Sequence, residues 1–293
     1  MQSIATFKLI KKIKDERFEE DNIHDYTLLL NVGPRDVQVG VVDSNENRLL
    51  YMEDYVLPSV SSSDDLIYTL EQLFDYHAFI RAGFWKQIKI ALKNQKLVQV
   101  PQALFEESVA PNYLNLNAQP SQSEETYFVP MEKSEAVTVF AIQKELKTWV
   151  EQKYPQKQFV LLHQSAALIE GIMRIAEKRT DNPLYLYVDR FKLHIISANE
   201  GKLIYYNQFN ILSFQDYIRY IMLVMKTLNM DQKTSKVVMW GYIGKNSPHY
   251  HEFYKYIQNV TFGARPDNLK FGYMFDEVQD HHFIDLYSVD LFQ

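Results

Sequence analysis

The chain has 293 residues, 46% hydrophobic and 23% charged, with a net charge of −6 and no cysteine. That length exceeds one ordinary core and suits two domains, and the acidic balance opposes non-specific binding to a phosphate backbone, so no nucleic-acid partner is expected. Without cysteine there are no disulfides, thiolate metal sites or cysteine nucleophiles, and no run of about 18 apolar residues offers a membrane span; a cytoplasmic protein is expected.

Residues 1–24 mix basic and acidic side chains around Lys11, Lys12, Asp15, Glu16 and Arg17, without the apolar run of a signal peptide. They read as a solvated arm or a short edge strand. Tyr26 to Val32 is a buried strand, Gly33-Pro34-Arg35-Asp36 a turn, Val37 to Val42 a second strand, and Arg48 to Leu57 a third. Ser61 to Asp65 supplies N-cap chemistry for a helix with Leu66, Leu70, Leu73, Phe74 and His77 at helical spacing. Strands follow at Ile88 to Leu92 and Leu97 to Pro101. Three prolines (Pro111, Pro120, Pro130) and a polar run make 106–134 an insertion or small subdomain with irregular backbone. Ala136 to Ile142 is a strand, Lys144 to Tyr154 an amphipathic helix, Phe159 to Leu162 a strand, and Gln164 to Lys178 a helix. Asp181-Asn182-Pro183 breaks the chain.

The order then recurs. A shift of roughly 154 positions lays Val37 to Tyr51 on Phe191 to Tyr205 without a gap, and Ser62-x-x-Asp65 aligns with Ser213-x-x-Asp216 at nearly the same offset. The second meander, Leu184 to Phe209, leads to a helix ending near Leu228, a strand at Lys236 to Trp240, the turn Gly241-Tyr242-Ile243-Gly244, and a helix opened by Pro248. Phe262 to Gly272 reads as irregular and Phe283 to Phe292 as a terminal strand.

This repeated order, with the small residues of His163-Gln164-Ser165-Ala166-Ala167-Leu168-Ile169-Glu170-Gly171, resembles the actin, sugar-kinase and heat-shock-chaperone ATPase superfamily. Within it, the pattern is most similar to the pilus-assembly and secretion-platform branch and to a bacterial family of uncharacterised proteins with an actin-like ATPase fold. The resemblance implies an α/β chain with a duplicated ribonuclease-H-like fold, its two domains set around a cleft. They would span 1–180, with the insertion near 106–134, and 181–293. The segment His163 to Gly171 would be the connecting helix, its small residues letting another helix approach.

The resemblance also implies where ATP and magnesium would bind: between two glycine-bearing turns, with a strand-end carboxylate holding the metal through water and a glycine pair beside the adenine. Backbone N–H groups must approach phosphate closely, and a hard cation wants oxygen ligands. The positions that match are Asn31, Gly33 and Arg35 in the first turn, Asp189 in the second, and Gly241 and Gly244 in the third. Asn31 replaces the carboxylate, Pro34 removes an N–H donor, and Asp189-Arg190 lacks glycine. Gly33 and Gly241 also read simply as turn residues needing positive φ, and Asp189 as a surface turn residue. His249-x-His251 and His281-His282 have no third ligand in reach, so no metal site is assigned to them.

The expected function is that of a degenerate, partner-binding member with weak or no nucleotide hydrolysis and no assigned catalytic residue. Its partner would be a protein, met through 106–134. The alternative is a working Mg-ATP-dependent ATPase or kinase, with Asp36 or Asp189 substituting for the missing carboxylate. A two-metal nuclease is a third class, opposed by Asn31 on the first strand and by the acidic balance.

Overall fold

A computed structural model describes residues 6–293, apart from Ala78, Gln156, Lys245 and the side chain of His249. Its first half is built from β1 (Lys8–Lys14), β2 (Tyr26–Val32), β3 (Asp36–Asp43), β4 (Arg48–Val56), α1 (Ser63–Tyr76) and β5 (Gln87–Leu92). Next come β6 (Leu97–Pro101), α2 (Ala110–Asn117), β7 (Glu124–Met131), β8 (Ala136–Gln143), α3 (Lys144–Lys153), β9 (Phe159–His163) and α4 (Gln164–Ala176). The main sheet runs β1-β4-β3-β2-β5-β9, antiparallel through the meander and parallel from β2 to β9. Every residue of β2 is buried, as expected of a central strand covered on both faces. β1 forms the exposed edge, where four lysines discourage pairing with another chain. Of the two readings offered for the N-terminal region, the edge strand holds for these residues.

The second half contains β10 (Leu184–Val188), β11 (Lys192–Asn199), β12 (Lys202–Asn210), α5 (Phe214–Thr227), β13 (Val237–Gly241), α6 (Pro248–Tyr254) and β14 (Val260–Phe262). Its sheet runs β12-β11-β10-β13-β14, the same order and sense as β4-β3-β2-β5-β9. The meander turns agree as well: Asn47 and Gly201 both take positive φ, at 51° and 74°. Each following helix is capped by an aspartate three residues in: Asp65 accepts from the Ser61 N–H at 3.1 Å and Asp216 from the Ser213 N–H at 2.9 Å.

Two expectations are corrected. The stretch 106–134 is not irregular: α2 and β7 complete a small three-stranded sheet of order β6-β8-β7 with its own core around Leu114 and Val139. Its prolines are compatible with regular structure because Pro111 opens α2, where no N–H bond is lost, and Pro130 lies on the edge strand β7. The terminal strand is instead α7 (Ile284–Val289), entered through Phe283 at φ 59°. All six of its residues are buried, so neither alternation nor a one-sided stripe distinguishes strand from helix in so short an apolar run.

The segment beyond β14 returns to the first sheet. β15 (Lys270–Phe271) pairs with β4, and α7 lies against α4 and touches β2, β3 and β5. The approach of α4 to α7 depends on Gly171, where a methyl group would collide with the Ser288 side chain. The small residues read from the sequence thus serve a close helix contact.

Candidate functional site

The two meander turns face one another, and their side chains meet. Lys93 follows β5, its N–H bonded to the Val32 carbonyl at 2.9 Å, which fixes the side chain beside the first turn. Its ammonium lies 2.7 Å from Asp36 Oδ2, 3.5 Å from Asp189 Oδ2 and 3.8 Å from Asp285 Oδ2. All four side chains are nearly or wholly inaccessible. Gly33 leaves room for this arrangement: a Cβ there would stand 2.7 Å from Asp36 Oδ1 and 3.0 Å from the Lys93 stem. The glycine is required by space and not, as the turn reading had it, by positive φ.

A second ion pair ties the second turn to β4. Arg190 grips Asp54 with both guanidinium nitrogens, Nη1 at 2.9 Å from Oδ1, and lies 3.6 Å from Asp36. The guanidinium stacks 4.1 Å from the Tyr242 ring centre, and the Tyr242 hydroxyl donates to Asp54 at 3.2 Å. Arg35 sits 3.4 Å from the Phe191 ring centre. Lys192 and Gln208 donate to the Asn94 carbonyl at 3.0 and 2.7 Å. Asn31 is fully buried and donates to Gln38 Oε1 and Asp285 Oδ2, each at 2.8 Å. Gln164, at the start of α4, donates to Asp189 at 3.1 Å and Asp285 at 2.9 Å.

Burial and charge set the titration of this cluster. Burial pushes Asp36 up to about 6, against the pull of Lys93, and also raises Asp285. Burial would raise Asp189 too, but Lys93, His194 and the hydrogen bonds from Gln164 and the Arg190 N–H together outweigh it and hold that carboxyl down to about 2. Burial opposes charge on Lys93, yet Asp189, Asp36 and Asp285 together carry it above the ordinary lysine value. Lys192, with less compensation, falls to about 8 through burial.

The structure therefore brings Asn31, Gly33, Arg35 and Asp189 together. Asp189 is 3% exposed, which corrects the surface-turn reading. Gly241 joins them through backbone: it takes φ 100°, a methyl there would strike the Val188 carbonyl, and the next N–H, of Tyr242, bonds that carbonyl at 2.7 Å. Gly244 stands apart with open space around it, lining a separate hollow with Ser247 and Asp280. Lys93, Asp54 and Asp285 were not singled out from sequence. A polar residue directly after a buried strand was the available signal for Lys93.

Beside Asp189 and Arg190 a cavity of about 430 Å³ opens into the second half, walled by Phe191, Phe214, Tyr217, Met239 and Phe253. This is the size and character of a small-molecule pocket. Opposite it, a hollow of about 390 Å³ is lined by Gly33, Arg35, Ser62, Lys93 and Gln143. Magnesium does not fit the cleft as built. Among the described residues no three carboxylate or histidine groups are placed to hold a metal, and the oxygens that converge do so on the Lys93 ammonium. His249 lies outside the described side chains. Also among the described residues, no helix is long and apolar enough to cross a membrane.

Residues 15–260 match the family described as "Protein of unknown function (DUF3822)", and the chain belongs to that family. The structure is similar to a crystal structure from Bacteroides thetaiotaomicron VPI-5482, described as a protein with actin-like ATPase fold and unknown function. That match has a TM-score of 0.79 and 19% identity, covering 94% of this chain and 99% of the other. It is also similar to a chain of the PilM-PilN type IV pilus biogenesis complex, with a TM-score of 0.59, 13% identity and coverage of 90% and 97%. No curated protein sequence matches. At these identities the likeness establishes the fold: this chain has the actin-like ATPase fold, with two domains.

Proposed function

We propose that this member of the family is a partner-binding protein of the actin-like fold that has given up nucleotide hydrolysis. The reading rests on the pairing of Arg190 with Asp54 and of Lys93 with Asp36, Asp189 and Asp285. The Lys93 contacts join the two turns between which the phosphates of an active member would lie, and the Arg190 pair ties the second turn to β4. A triphosphate entering there would have to break buried ion pairs and face four carboxylates. No glycine in the second turn brings N–H groups toward it, and Pro34 withholds one in the first. Phosphoryl transfer depends on positioned positive charge, and here each cation near the turns is already bound to a carboxylate, a carbonyl or an aromatic ring.

The same order of strands in the two sheets supports an internal duplication, with the second phosphate turn reduced to Asp189-Arg190. Protein binding is supported by the β6-β8-β7 subdomain, a compact unit that adds surface without contributing a side chain to the ion pairs. It is also supported by the likeness to PilM, whose structure was solved as a complex with PilN. The absence of cysteine suits action in the cytoplasm. The cavity beside Phe191 and Tyr217 leaves room for weak binding of a ring compound such as a nucleoside, so binding and hydrolysis are separate questions.

The experiment is a melting curve with and without Mg-ATP. A ligand at about 100 times its dissociation constant stabilises by about 2.7 kcal/mol. No such shift is expected at millimolar Mg-ATP. A shift of several degrees that requires magnesium would restore the alternative, a working ATPase or kinase.

A further inference from the structure

We infer that Lys93 is a resident cation that replaces a bound divalent metal at the centre of the cleft, holding together three segments that a metal would otherwise have to join. The inference rests on the reading of a cleft that does not hydrolyse nucleotide, and adds what stands at its centre. Three observations carry it. First, the carboxylates that surround the ammonium come from three separate places: the first turn (Asp36), the second turn (Asp189) and the C-terminal helix α7 (Asp285). A surface lysine makes one pair; this one gathers both halves and the returning helix around a single buried charge.

Second, the surroundings have the chemistry of a hard-cation shell. Asn31 and Gln164 both direct their amide nitrogens to Asp285, which the Tyr187 hydroxyl also faces, while Asn31 Oδ1 and Gln164 Oε1 are buried oxygens with no hydrogen-bond partner among the described residues. Unpaired buried acceptors are costly, and oxygen acceptors are what magnesium, calcium or manganese coordinate. Third, the positive charge here undercompensates the carboxylates, even with Arg190 lying 3.6 Å from Asp36. Asp36 and Asp285 both keep raised pKa values, whereas a divalent ion at the same point would draw them down.

The consequence is a cleft whose closed arrangement needs neither metal nor nucleotide. As placed, the three carboxylates converge on the ammonium and not on a metal; removing the ammonium should leave them free to close on a divalent ion by side-chain movement. The test is Mn²⁺ binding, followed by electron paramagnetic resonance of free Mn²⁺ and by melting temperature, on the full chain. Wild type should bind no Mn²⁺ in the cleft. Lys93→Ala should bind close to one equivalent at micromolar to sub-millimolar Mn²⁺, with a rise in melting temperature that the double variant Lys93→Ala with Asp285→Asn loses. If Lys93→Ala does not fold in metal-free buffer, refolding with 1 mM Mn²⁺ should recover folded protein. Folded Lys93→Ala that ignores Mn²⁺, or an unfolded variant that Mn²⁺ does not rescue, overturns the inference. So does wild type that binds Mn²⁺ in a manner abolished by Asp285→Asn. None of these outcomes touches ATP turnover by wild type, which tests the underlying reading separately.

Discussion

Replacing Arg190 by alanine isolates the contact that joins the second turn to β4. The guanidinium is 13% exposed and Asp54 1%, so the pair is buried and its loss is not softened by water. Among the described residues, the variant would leave Asp54 with only the Tyr242 hydroxyl at 3.2 Å and would strip the stacked cation from that ring. Removing one partner of a buried pair costs about 3–5 kcal/mol, mostly the penalty of the charge left behind. With a urea dependence of about 2–3 kcal/mol per molar, the unfolding midpoint should fall by roughly 1–2.5 M. Urea titration followed by tryptophan fluorescence measures it, since Trp85, Trp149 and Trp240 are all buried. The double variant Arg190→Ala with Asp54→Ala should cost clearly less than the sum of the single variants, because each already pays for the other's isolation. A loss below about 1 kcal/mol for Arg190→Ala, the range of an exposed pair, or strict additivity in the double variant, would refute the assignment of Arg190 as a buried link.

Three further outcomes follow. Gly241→Ala should destabilise by about 2 kcal/mol or more, because φ 100° and the Val188 carbonyl both oppose a methyl group, whereas Gly244→Ala should be near neutral; paired thermal melts compare them. Glu53 is buried, and burial pushes its carboxyl up, but hydrogen bonds from His77, Tyr51 and Tyr55 hold it down at about 2. Its folded pKa is thus depressed, so it stabilises above the unfolded value of about 4.5 and that contribution is lost as pH falls toward 2. The loss amounts to about 3 kcal/mol, and Glu53→Gln should flatten this part of a stability profile taken by urea titration from pH 5 to 2. Gly171→Leu should separate α4 from α7, seen as faster hydrogen exchange in 284–289; unchanged protection there would show that the helix contact tolerates bulk.

The meanders were readable in the sequence because their strands are buried along nearly their whole length and end at Gly, Pro, Asp and Asn turns. The helices after them were readable because Ser62-x-x-Asp65 and Ser213-x-x-Asp216 mark their starts. The C-terminal helix was not, since a six-residue run buried on all sides carries no period. The site was half readable for a related reason. Gly33, Arg35 and Asp189 sit in local turns that a motif can mark, but the ion pairs that define the cleft are not local. Asp54 meets Arg190 136 positions away, and Asp285 meets Asn31 at a separation of 254. A carboxylate from near the far end of the chain reaches Asn31, which binds it as an amide donor. Only the fold makes that adjacency visible.

The most direct measurement is steady-state phosphate release by the purified chain with Mg-ATP, at enzyme concentrations high enough to detect slow turnover. Each missing electrostatic contact of this kind lowers rate by roughly 10² to 10³. A cleft closed by its own lysine and arginine should therefore show no magnesium-dependent release approaching the usual range of about 1–10³ per second. Turnover near one per second that disappears in Asp189→Ala or Asp36→Ala would contradict it, and would mean that the ion pairs open to admit a working nucleotide site.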